Sequence, residues 1–184
     1  REGVFRVAAG LEGHPDNAAP AFLGGLTASF MHEGRAGAVP FSPDPAWRFV
    51  AVIPNYEVRT EEARRIVRRD IDLSAAVHTM SHAIAMVRGL ETGDEALVGA
   101  ACADVLHEPY RRTLIAEYNA MRAMALEAGA ATFFISGSGS TMIAATKSEA
   151  VAEAFVAKVR ETWPDFAARV LTVCHEGTTV TVED

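Results

Sequence analysis

Cysteine is scarce in this chain of 184 residues, which holds only Cys102 and Cys174. Two distant thiols cannot frame a small secreted fold or fill a tetrahedral zinc site, so packing in a reducing compartment is their expected role. Basic charge is scarce as well. Seventeen Lys and Arg stand against 24 Asp and Glu, a formal net charge of −7, and this balance argues against nucleic-acid or anionic-membrane partners, which need a clustered cationic excess. The one basic cluster, Arg64-Arg65 with Arg68-Arg69, reads as the solvated face of a helix. No apolar run approaches the roughly 18 residues of a membrane span, and no basic start followed by an apolar stretch marks a secretory leader. The expectation is a cytoplasmic protein. Internal repeats and low-complexity tracts are missing too.

What the chain does have is 49% hydrophobic residues, enough for a substantial core. Periodicity predicts the end of a helix over 2–12, a short helix over 18–23 stopped by Gly24-Gly25, and a strand over 26–32. Residues 33–44, rich in Gly, Pro and Ala, read as loop, and 47–53 as a buried strand. Helices are expected from Thr60, with that hydroxyl as N-cap, over 74–90, and from 93 to Cys102 or Asp104. A longer one is expected from Pro109 to Ala128, closed by Gly129. Strands at 131–135 and 141–145, a helix over 148–163, and terminal strands at 166–175 and 178–182 complete an α+β order of helices against a mostly antiparallel sheet. His78, His82, His107 and His175 have no metal-ligand spacing, and Met80, Met86, Met121 and Met124 read as core filler.

The most unusual stretch is Glu12-Gly13-His14-Pro15-Asp16-Asn17. Two acids, an imidazole and a carboxamide lie around a Gly and a Pro that stiffen the backbone, an arrangement suited to gripping a small charged molecule. Its plainer reading is a solvated turn with a cap for the next helix. Two further motifs follow: Ile53-Pro54-Asn55 with Thr60 and Ala63-Arg64, and the glycine-rich Ser136-Gly137-Ser138-Gly139. Taken in this order, with Pro20, Gly24-Gly25 and the later Asp104 to His107, Pro109-Tyr110 and Arg111, they closely resemble the GHMP small-molecule kinases. Within them, His14 to Asn17 and the Thr60 to Arg64 spacing resemble the homoserine kinases.

The resemblance implies a GHMP-kinase-like α+β fold, two layers of helices on an antiparallel sheet, with 1–45 a remnant of the N-terminal domain and 46–184 the C-terminal domain. It implies ATP-dependent phosphorylation of the L-homoserine hydroxyl, a step of threonine biosynthesis, with ATP and Mg²⁺ as cofactors and a homodimer as the expected assembly. This sequence contains neither the family's first substrate segment nor its Gly- and Ser-rich phosphate loop. A C-terminal portion opening in mid-helix at Arg1, inactive alone, is therefore expected. Ser140 stands where the family usually has Pro, which is expected to loosen the turn.

Homoserine presents a carboxylate, an ammonium and a primary hydroxyl. By resemblance, Arg64 and Arg111 hold the carboxylate, Asp16 pairs with the ammonium, and His14, Asn17, Thr60 and Gly137 complete the substrate site. Guanidinium suits the first role because its fork gives two parallel charge-assisted hydrogen bonds. Asp16 and Asn17 occupy the catalytic positions. Phosphoryl transfer proceeds through a loose transition state, so Asp16 is expected to bind and Asn17 to orient, with no dedicated base. Ser136, Gly137, Ser138 and Gly139 would approach the nucleotide phosphates, and Glu12 would supply a hard oxygen to Mg²⁺. Each residue also has a structural reading: surface cations for the Arg pair, a helix-terminal acid for Glu12, a Gly-rich β-turn for 136–140. Two rival functions remain open, a kinase for a mevalonate-like or sugar substrate and a non-catalytic amino-acid-binding domain.

Overall fold

A computed structural model of the chain describes residues 2–181. The chain divides into two compact units, one formed by Arg1–Pro45 with Val173–Asp184 and the other by Ala46–Thr172.

In the first unit, α1 (Glu2–Glu12) and α2 (Ala18–Leu23) precede the antiparallel hairpin of β1 (Leu26–His32) and β2 (Arg35–Phe41). Phe5 and Ala9, four residues apart on α1, meet Ala18 and Ala19 of α2 in a small core, and Phe22, Ala36 and Ala38 pack against it. The hairpin turns on Glu33 and Gly34, both at positive φ (47° and 74°), the geometry whose twist suits a two-residue β-hairpin loop. Here the loop expected over 33–44 is corrected. The segment Arg-Ala-Gly-Ala-Val-Pro-Phe has little intrinsic strand character, but pairing with β1 supplies what its side chains do not, and Pro40 is tolerated because a two-stranded ribbon has open edges.

The tail from Val173 belongs to this same unit, whereas the sequence division assigned it to 46–184. Gly25 N–H donates to Cys174 O at 2.8 Å, and Thr178 Oγ1 donates to Ala21 O at 2.9 Å. Gly24, at φ +75°, is where the tail crosses: a Cβ there would lie 2.6 Å from Gly177 N. The strand expected at 178–182 does not form over Thr178–Thr181, and Val182 lies outside the described residues, as does Arg1.

The second unit is built on a four-stranded antiparallel sheet in the order β4-β5-β3-β6, from β3 (Arg48–Ile53), β4 (Thr132–Ile135), β5 (Met142–Thr146) and β6 (Ala167–Leu171). Its helices are α3 (Thr60–Arg65), α4 (Leu73–Thr92), α5 (Glu95–Ala101), α6 (Glu108–Arg111), α7 (Tyr118–Glu127) and α8 (Glu149–Thr162). β3 is central, with Val50 opposite Ala144 on one side and Val170 on the other. Side chains alternate across the sheet. Val50, Val52, Phe133 and Ala144 join Met121 and Ala125 of α7 and Phe155 and Val159 of α8 in the main core. Phe49 and Ala145 point to the opposite face, where Trp47, Val98, Met86 and Leu90 form a second cluster. Helices on an antiparallel sheet are as expected; α4 and α5 add a layer on the second face.

Three local expectations are corrected. The helix expected from 109 to 128 is broken. After α6 a 3-10 turn (Arg112–Leu114) leads to Ile115, whose extended backbone (φ −124°, ψ 98°) puts the side chain into the core at 2% exposure before α7 begins. Burying a large aliphatic side chain stabilises by about 1.5–3 kcal/mol, more than one helical turn contributes. Thr60 does not cap α3, because Arg59 occupies the N-cap and no side chain bonds there. Met80 is 59% exposed, since Leu73, Val77, Met80 and Ile84 make an outward apolar stripe on α4 at helical spacing.

Candidate functional site

In the first unit the six-residue motif forms a stiff link between α1 and α2. Gly13 adopts φ +76° directly after Glu12, the left-handed conformation that ends a helix at little cost only for Gly. Pro15 is buried and its carbonyl accepts from Ala19 N–H at 2.8 Å. Asn17 sits at the N-cap of α2, but its backbone is αR (φ −89°, ψ −39°) and its carboxamide makes no capping bond. The side chains of His14, Asp16 and Asn17 are exposed and form no hydrogen bond or ion pair among the described residues, so the fold uses the backbone of this loop and leaves its polar groups to solvent.

The second unit centres on the loop between β4 and β5. Ser136 N–H donates to Thr141 O at 2.9 Å and Gly139 N–H to Ser136 O at 3.0 Å, closing a tight turn in which Gly137 and Gly139 both have positive φ (59° and 87°). A Cβ on Gly139 would sit 3.0 Å from Ile115 Cδ1, so the turn rests directly on the core side chain that breaks the preceding helix. Arg111, the last residue of α6, donates from Nη1 to Gly137 O at 2.6 Å, while its Nε is buried without a partner. A buried guanidinium donor left open is costly unless something accepts from it.

Residues outside the sequence motifs hold this arrangement. Asp104 accepts from the N–H groups of Leu106, His107 and Glu108, fixing the approach to α6. Glu108 accepts from the Tyr118 hydroxyl and, at 3.4 Å, from Ile135 N–H, so one carboxylate ties α6 to α7 and to the end of β4. Burial first and the neighbouring Glu108 second push the Tyr118 hydroxyl well above its ordinary range, which keeps it protonated and donating. Ser140 is buried and its hydroxyl donates to Tyr56 O at 2.6 Å. The loosened turn expected from Ser140 is thus corrected: the hydroxyl anchors the loop to the segment that leads into α3. Glu108 could have been found from its place just before Pro109 at a helix start; the Ser140 bond spans 84 positions and left no sequence signal.

The structure brings Arg111 together with Ser136, Gly137, Ser138 and Gly139, and links that loop through Tyr56 to the segment carrying Thr60 and Arg64. Those two lie four apart on α3, both exposed and on one helical face. Glu12, His14, Asp16 and Asn17 belong to the first unit. Glu12 is a single exposed carboxylate at the end of α1, and among the described residues no group of three His, Cys, Asp or Glu could cage a metal. One such oxygen fits Mg²⁺ arriving with phosphates, which keeps most of its waters and takes only one or two carboxylates.

Residues 86–165 match the family described as GHMP kinases C terminal. The chain is 37% identical to the homoserine kinase of Thermosynechococcus vestitus over 96% of its own length and 60% of that protein's. It is 41% identical to the homoserine kinase of Thermus thermophilus over 78% of its length and 49% of that protein's. The crystal structure of homoserine kinase from Cytophaga hutchinsonii superposes with a TM-score of 0.80 at 28% identity, covering 89% of this chain and 53% of that one. The chain thus spans about half to three fifths of the length of these relatives.

Proposed function

We propose that this chain, which carries the C-terminal domain of the GHMP kinases, is the part of a homoserine kinase that holds the amino acid while ATP phosphorylates it. The single observation behind this reading is Arg111, seated on the glycine loop through Gly137 O at 2.6 Å with a buried Nε that has no partner. A guanidinium placed in that way, in a chain similar to named homoserine kinases, suits a carboxylate ligand.

In this mechanism Arg64 and Arg111 bind the carboxylate, and the resemblance gives Asp16 the ammonium. Thr60, His14 and Asn17 orient the amino acid, and the exposed carboxamide of Asn17 directs the primary hydroxyl. The hydroxyl oxygen attacks the γ-phosphorus as the bond to the leaving ADP breaks, and its proton passes to solvent without a dedicated base. Positioning and charge neutralisation carry the rate in such a loose transfer. The backbone of Ser136 to Gly139 would approach the nucleotide phosphates, and Glu12 would hold Mg²⁺, which supplies charge neutralisation at the phosphates when bound. Phosphoryl transfer is proposed for the protein that also contains the family's phosphate loop, working as a soluble cytoplasmic homodimer.

Calorimetric titration of this chain with L-homoserine tests the amino-acid site directly. Saturable binding is expected, weakened at least tenfold in homoserine lactone, which lacks the carboxylate, and abolished for mevalonate, which lacks the ammonium. Equal binding of all three would remove the carboxylate and ammonium contacts and with them this reading.

A further inference from the structure

The second unit contains a cavity of about 320 Å³ between α4, α5 and the sheet, reaching Glu108 and Ile135 beside the glycine loop. Phe49, Met86, Leu90, Val98 and Phe134 give it an apolar wall. Thr79 of α4 lines it too, and its Oγ1 is buried with no hydrogen-bond partner. A helical threonine ordinarily returns its hydroxyl to the carbonyl one turn back, so an unpaired one facing an apolar space is a donor waiting for a partner.

We propose that this cavity is a binding site for a small neutral molecule, mostly hydrocarbon, with one hydrogen-bonding oxygen that pairs with Thr79. The titratable groups around it call for no charged ligand. Asp104 already accepts three backbone N–H groups, and Glu108 accepts from Tyr118 and Ile135. The His82 ring lies against the carbonyl of His78 through Nδ1 at 2.8 Å. Burial pushes the Cys102 thiol up, so this group stays uncharged. An anion would therefore lose its hydration without gaining a counter-ion, and a cation would meet only Asp104 and Glu108, whose oxygens those backbone and Tyr118 donors already engage. The size is suitable, since an apolar cavity of about 150 Å³ already accepts benzene and small-molecule sites begin near 300 Å³. The site uses none of the residues proposed to bind homoserine.

The probe is benzyl alcohol, titrated into the full chain carrying ¹³C-labelled Met and Thr methyl groups. Saturable shifts are expected at Met86 and Thr79, with benzylammonium and phenylacetate binding at least about a hundredfold more weakly. Thr79→Val keeps the shape and removes the hydroxyl, so benzyl alcohol should weaken about fivefold while toluene binds as before. Ala83→Trp, at an exposed helical position lining the cavity, should block both. Absence of saturable shifts, comparable binding of the charged analogues, or unaltered benzyl alcohol affinity in folded Thr79→Val overturns the proposal. Because the last variant is isosteric, the test survives even where the larger ring prevents folding.

Discussion

Arg111 Nη1 donates to Gly137 O at 2.6 Å, joining two residues 26 positions apart on either side of α7. The bond turns a surface-type cation into a fixed one. Held by its own backbone partner, the guanidinium has already lost part of the rotamer entropy that a free Arg would lose on binding.

Replacing Arg111 with Lys should therefore do more harm than a conservative change usually does. In the proposed homoserine kinase the homoserine KM is expected to rise roughly 10- to 100-fold, the worth of a charge-assisted fork, while KM for ATP changes little. Steady-state kinetics with both substrates varied decides it; unchanged homoserine KM would leave Arg111 a purely structural residue.

Asp16 is exposed and unpaired among the described residues, so Asp16→Asn costs the fold nothing. Its effect should fall on homoserine affinity, about a hundredfold in KM with kcat within a few-fold of wild type. Abolished turnover at normal KM would instead mark Asp16 as a proton acceptor.

Loss of the Ser140 hydroxyl leaves the carbonyl of Tyr56 without its donor in a buried setting. Ser140→Ala is expected to lower stability by about 1–3 kcal/mol, read from the urea midpoint at constant m-value. A midpoint equal to wild type would show that the anchor is dispensable.

Tyr118 ties stability to alkaline pH. Its folded-state value is raised above the ordinary value of 10.0, so the neutral hydroxyl is favoured by folding. That contribution is fully present below pH 10 and is lost as pH climbs from there toward the folded-state value. Tyr118→Phe should be less stable than wild type by about 1 kcal/mol at pH 8 and should lose less on going to pH 11. Parallel pH profiles for the two proteins would contradict the assignment.

For Glu12 the readout is the Mg²⁺ concentration giving half-maximal rate in the proposed homoserine kinase. Glu12→Gln is expected to raise it roughly tenfold or more, as weakening a metal's ligand set does. A wild-type requirement takes Glu12 off the metal.

Much of the architecture could be read along the chain because it is written in local periodicity. α1, α2, β1, β3 and α8 follow directly from apolar spacing and from Gly and Ser at their ends. The turn from Glu12 to Asn17 was legible for a related reason: Gly13 ends α1 at positive φ and Pro15 stiffens the link to α2. β2 was missed because a strand of Gly, Ala and Pro has no pattern of its own and exists through its partner. The 109–128 segment was misread because good helix formers run through it, while the break answers to a distant demand, the place Ile115 takes beneath Gly139.

By itself, then, the sequence determined the α+β class and the stiff polar loop from Glu12 to Asn17. Those are properties of neighbours, which a linear string records. Only the tertiary structure decided that Arg111 would be fixed on Gly137, that Ser140 would tighten its loop by bonding Tyr56, and that the tail beyond Val173 would return to the first unit. Each of these joins segments many residues apart, and whether a buried donor finds an acceptor there depends on packing that no local pattern encodes.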